Sequence, residues 1–139
     1  MNTLTPHCTF QKLPDNVYEV TFTQPSRQAV QEFFQHLNTI YAEALERNLL
    51  PVRTLVIAPP QGPLPVIPLT SALRSWTATY GKVPSRFVIL YEGAFAALVD
   101  VLMRNFGKRS SLMRVFSPVR RAEALAWLSA GVLEPTAAP

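Results

Sequence analysis

Apolar positions along this chain switch between a period of two and a period of three to four, and each switch marks a boundary. In CTFQKL, Cys8, Phe10 and Lys12 share one side of an extended segment. In VYEVTFT, Tyr18, Val20 and Phe22 face one way while Glu19, Thr21 and Thr23 face the other. Pro14-Asp15-Asn16 lies between the two with the chemistry of a tight turn, so the first unit reads as a hairpin whose second strand is half-solvated and close to a sheet edge. Ser26 then stands as the cap of a helix over 26–47, in which Val30, Phe33, Phe34, Leu37, Ile40, Tyr41, Ala44 and Leu45 form one apolar stripe. Arg27, Gln31, Gln35, Asn38 and Glu46 occupy the opposite side. His36 borders the stripe with no second ligand residue beside it and reads as structural.

Two later runs, TLVIA at 54–58 and RFVILY at 86–91, are short and continuously apolar. That pattern belongs to strands covered on both faces, hence central and parallel. Between them, Leu69, Leu73, Trp76 and Tyr80 make a helical face that Gly81 ends. After the second run, Phe95, Leu98, Val99, Leu102 and Phe106 predict another helix stopped at Gly107, and LMRVF at 112–116 predicts a further parallel strand. Ser117-Pro118 opens a last helix with Val119, Ala122, Leu125, Ala126 and Leu128 inward, and 131–139 reads as a frayed tail. The order is ββαβαβαβα. It predicts a single α/β domain with its core over about 8–130, a mixed, mostly parallel five-stranded sheet, a first strand antiparallel at an edge, and about four helices.

Composition narrows the classes of function. A length of 139 residues suits one domain, and 48% hydrophobic against 16% charged residues suits a folded one. One cysteine leaves no intrachain disulfide, and with two histidines it argues against a Cys/His metal centre. No run approaches the roughly 20 apolar residues of a membrane span. The start, MNTLTPHCTF, lacks the basic and apolar regions of a secretory signal, so the expected compartment is the cytoplasm. Residues 1–70 carry four basic and five acidic groups, whereas 71–139 carry nine basic and four acidic. The excess sits in Arg104, Lys108, Arg109, Arg114, Arg120 and Arg121. Without interleaved aromatics or a recognition motif it reads as a solvated surface, and no nucleic-acid partner is expected.

The element order resembles the STAS or SpoIIAA-like superfamily, the fold of bacterial anti-sigma-factor antagonists. The closest motif-level likeness runs through Arg86, Arg114-Val115-Phe116, Glu123-Ala124-Leu125 and Trp127-Leu128, within residues 84–128. The resemblance implies a regulatory, non-enzymatic module. Antagonists of that family carry a phosphorylatable serine in an Asp-Ser-Ser-Gly turn. Here the corresponding stretch between Ala58 and Ala72 holds five prolines and no acid, and Thr70 and Ser71 stand nearest the place. The two hydroxyls read as helix caps.

Ligands of open parallel sheets bind beyond the carboxyl ends of the strands, which puts 59–70, 92–94 and 117–118 forward. Prolines stiffen the first of these and leave Leu64, Val66 and Ile67 exposed, an arrangement suited equally to recognition and to sealing the end of the core. Glu92 is the acid on these loops and reads as charge at a helix start. Trp76 and Trp127 lie in apolar stripes and read as core. No paired acids, G-x-G-x-x-G, GK[ST] or G-x-S-x-G occur, and adjacent His7 and Cys8 point to opposite faces of a strand, so neither an enzyme nor a cofactor is expected. The expected function is protein–protein contact through the 59–71 loop and the start of the following helix, with Leu64, Val66, Ile67, Thr70, Ser71 and Glu92 as the candidate surface. The alternative is a small apolar or lipid ligand beneath 59–70 acting as a lid. An exposed edge strand makes a homodimer a further expectation.

Overall fold

The computed structural model describes residues 5–59, 65–91 and 111–130. Strand β1 (Cys8–Leu13) turns through Pro14–Asn16 into β2 (Val17–Phe22), pairing Cys8 with Phe22 and Leu13 with Val17 in antiparallel register. The reversal requires positive φ at Asp15 (66°) and Asn16 (59°), a conformation that short Asx side chains tolerate better than most. Helix α1 (Arg27–Arg47) leads to β3 (Val52–Ile57), α2 (Val66–Tyr80) to β4 (Ser85–Leu90), and β5 (Ser111–Phe116) passes through a 3-10 turn, Pro118–Arg120, into α3 (Arg121–Ala130). The sheet order is β1-β2-β3-β4-β5, with β2 to β5 all parallel. The mixed five-stranded sheet, its antiparallel edge strand and its parallel centre therefore stand as the apolar pattern predicts. Three α-helices lie among the described residues; the further helix predicted after RFVILY falls outside them.

The alternation of side chains along each strand divides the core in two. On one face, Val20, Phe22, Val52, Val56 and Phe87 meet the stripe of α1 and, from α2, Leu73. On the other, Val17, Leu55, Val88 and Leu90 meet Ala124 and Leu128 of α3. Both central strands are thus covered on both sides.

Ser26 accepts a hydrogen bond from the Ala29 N–H at 3.0 Å and starts α1 where the sequence places it. Asn48 ends it in the left-handed region (φ 57°), its N–H turned back to the carbonyls of Ala44 and Leu45.

Several sequence expectations are corrected. Glu19 is buried rather than solvated: Arg121 Nη2, reaching over from α3, lies 2.6 Å from Glu19 Oε2, and the Gln11 amide donates to Oε1 at 2.7 Å. Leu45, read into the α1 stripe, is 46% exposed. Helix α2 begins at Val66, not near Thr70, because Pro68 falls at its third position, where a missing N–H leaves no helical bond unmade. Gly81, by contrast, ends α2 where the sequence places it, with φ −63° and its N–H donating to the Thr77 carbonyl at 2.7 Å, an oxygen to which a Cβ there would come within 2.5 Å. Val119, Ala122 and Ala126 are exposed instead of inward. The 3-10 turn delays α3 by three residues and rotates its buried face onto Ala124 and Leu128.

Candidate functional site

The carboxyl ends of β3 and β5 open onto one rim. The Ala58 N–H donates to Leu90 O at 3.1 Å and the Tyr91 N–H to Phe116 O at 3.0 Å, so the ladder of the sheet runs to the edge of this rim. From it α2 departs on one face and α3 on the other. Ile67, at the second position of α2, is 80% exposed, and Val119, within the 3-10 turn after β5, is 86% exposed. Hydration of two branched aliphatic side chains is unfavourable, and singly each is ordinary; their place at the same end of a parallel sheet is what marks the rim. Beside Val119, Arg120 pairs with Glu123 and stands 5.5 Å from the Phe116 ring centroid.

Of the sequence-predicted site residues, Ile67 lies on this rim. Val66 is the first residue of α2. Thr70 and Ser71 lie together on the second turn of α2, Thr70 half-buried and Ser71 exposed, and neither caps the helix. The cap position is Pro65, which has no side chain able to accept the bond, so the capping role read for the two hydroxyls is corrected. The predicted loop is correspondingly shorter, because 66–70 belong to α2. Leu64 and Glu92 lie outside the described residues. Val119 was missed because the Ser-Pro signal was taken to open an α-helix directly, whereas Arg120 N–H closes a tighter turn onto Ser117 O at 2.9 Å.

Away from the rim, titratable groups gather where β1 meets α1. Glu32 Oε1 accepts from the His7 N–H at 2.7 Å and the Cys8 N–H at 2.9 Å, and Oε2 accepts from the Gln28 amide at 2.8 Å. Burial alone would raise the carboxyl; those three donors outweigh it and hold Glu32 below its ordinary value. His7 Nδ1 lies 2.6 Å from Ser26 Oγ, and His36 Nε2 lies 2.8 Å from the Cys8 carbonyl oxygen with its ring against Phe10. Burial, then the nearby Glu32 charge, pushes the Cys8 thiol up to about 12, so it remains protonated and packs as an apolar group. Each polar group here is committed to holding an edge strand onto a helix. His36 takes the structural role read from sequence.

Among the described residues no group of three or more His, Cys, Asp or Glu is placed to hold a metal ion. No helix among them is long and apolar enough to cross a membrane. Within 84–128, Arg86 lies over Trp127, 3.8 Å from the ring centroid, with Nη2 donating to Trp127 O at 3.0 Å, and Phe116, Leu125 and Trp127 pack against the second core. No protein-family model, curated protein or solved structure matches the chain.

Proposed function

We propose that the chain is a non-enzymatic regulatory module of the STAS or SpoIIAA-like kind, working in the cytoplasm by contact with a protein partner across the rim at the carboxyl ends of its parallel strands. The observation that carries the reading is the pair Ile67 and Val119, both more than three-quarters exposed at that one end. A partner that removes both from water gains about 25 cal/mol per Å² of apolar surface, and the rigid helix start and 3-10 turn that present them lose little freedom on binding. The strand order and the convergence of Arg86, Phe116, Trp127 and Leu128 agree with the family resemblance. The Cys8 thiol, pushed up to about 12 by burial, and the His7–Ser26–Glu32 group are engaged where β1 meets α1.

The alternative, an apolar ligand beneath the stretch after β3, is less favoured. Tyr41, Trp76, Tyr80 and Phe87 stand ring to ring beneath α2, with neighbouring centroids 4.9 to 6.4 Å apart, so side chains already occupy that side of the sheet. The deciding experiment compares the wild-type chain with an Ile67→Ser, Val119→Ser double variant as bait in lysate of the source cells. A protein recovered by the first and lost with the second, at unchanged melting temperature, is the expected result. Equal recovery by both baits removes the rim from consideration. A small apolar molecule carried through purification and seen by native mass spectrometry moves the assignment to the ligand alternative.

A further inference from the structure

We propose that Glu32 and His36 of α1 close the outer edge of β1 against a second copy of this chain, by taking at Cys8 the two backbone groups that an added strand would use. This inference is independent of the rim, which lies at the ends of the parallel strands and not along the side of the sheet. Among the described residues β1 has β2 as its one neighbouring strand. The Thr23 N–H donates to His7 O at 2.9 Å, one step beyond the pairing of Cys8 with Phe22. Antiparallel pairs alternate, so this bond sets the phase: the backbone groups of Thr9, Gln11 and Leu13 turn to β2, and those of Cys8, Phe10 and Lys12 turn outward. An outward row of this kind is a template for another strand.

At Cys8 the template is already occupied. Glu32 Oε1 accepts its N–H at 2.9 Å. His36 Nε2 lies 2.8 Å from its carbonyl oxygen, a group that only accepts, so the imidazole donates. The two side chains stand one helical turn apart on α1 and give Cys8 the acceptor and the donor that a strand would give it. Both are held in place: the Gln28 amide and the His7 N–H bond Glu32, and the His36 ring lies 4.8 Å from that of Phe10.

Symmetry identifies what is kept out. Two copies of β1, antiparallel and centred on Phe10, set Cys8 opposite Lys12 of the second copy and Phe10 opposite Phe10, and the outward phase lets each of these pairs exchange both backbone bonds. Phe10 is 36% exposed, and two such rings side by side cover each other. With Cys8 taken, only the middle pair of that register remains.

The test compares the full chain with a Glu32→Ala, His36→Ala double variant by sedimentation equilibrium across a range of concentrations, each with and without Phe10→Pro. Proline at position 10 removes an outward N–H and none of the bonds to β2. The double variant is expected to self-associate at least about tenfold more tightly than the wild type, the gain of two or more backbone hydrogen bonds, and Phe10→Pro is expected to abolish that gain. Amide exchange reads the same edge without the proline: the Phe10 and Lys12 amides should become protected in the double variant as its concentration rises, and stay fast in the wild type. A folded double variant no more associated than the wild type overturns the proposal. So does an association that leaves those two amides fast, or one that Phe10→Pro does not weaken. His36→Ala alone keeps the Glu32 bonds that hold β1, so it carries the test if the double variant does not fold: tighter association than the wild type is expected, and equal association overturns the proposal.

Discussion

Glu32 shows how much one side chain organises. Three donors from two elements converge on its carboxylate, two of them the backbone N–H groups that bring the chain into β1. Because its folded pKa lies below the value of the unfolded chain, its contribution to stability is complete above about pH 5 and disappears as pH falls through the folded value. Glu32→Gln should therefore unfold at lower urea than the wild type at pH 7, and the gap between the two midpoints should narrow as pH falls below about 5. A gap that stays constant as the carboxyl groups are protonated rules out the ionised carboxylate as its source. In the sequence Glu32 is only one of the acids of residues 1–70, because the backbone donors that mark it out come from residues 24 and 25 positions away. Tyr18 is similar: burial first, then the bond to Glu43, pushes its phenol up to about 12, and nothing local in VYEVTFT announces the partner.

Helix α1 was readable almost to the residue because its signals are local. Ser26 caps the start, the stripe repeats at helical spacing, and Asn48 stops it. Asn48 also gives a sharp prediction. Its φ of 57° costs an ordinary L-residue roughly 1–2 kcal/mol, so Asn48→Ala should lower stability by about 1 kcal/mol, while Asn48→Gly should leave it equal or raise it. Urea midpoints at unchanged slope measure both. Equal losses for alanine and glycine would point to the side chain rather than the backbone. The start of α2 was misplaced because Pro65 and Pro68 read locally as loop, and only the finished helix shows that a proline at its third residue breaks no bond. In the last helix Leu128 is buried as its apolar position predicts, but one 3-10 turn, invisible in composition, leaves Val119 and Ala122 exposed and buries Ala124.

At the scale of the molecule, two cores share one sheet. Among the described residues the first is dense with aromatic rings from α1 and α2, and Ala124 and Leu128 of α3 are buried in the second. Leu128 is fully buried there, so Leu128→Ala should cost about 2–5 kcal/mol, whereas Val119→Ala should stay within about 0.5 kcal/mol of wild type. Equilibrium unfolding of the two variants distinguishes a docked α3 from one that merely rests on the sheet; comparable small effects would mean the latter. The same docking lays Trp127 beneath Arg86 and near Arg114.

What the amino-acid order determined by itself was the choice of elements and the class of fold. Apolar period, caps and turn residues act over a few positions, and continuous apolar runs can be satisfied only as strands covered on both faces. What the tertiary structure alone decided was which polar groups meet. Glu19 with Arg121, Arg53 beside Arg86, and Ile67 at the same end as Val119 are products of strand register and helix phase, which join residues dozens of positions apart. A short-range pattern carries no record of such pairings, since burial energy depends on how much apolar surface is covered and not on which polar neighbours the covering brings together.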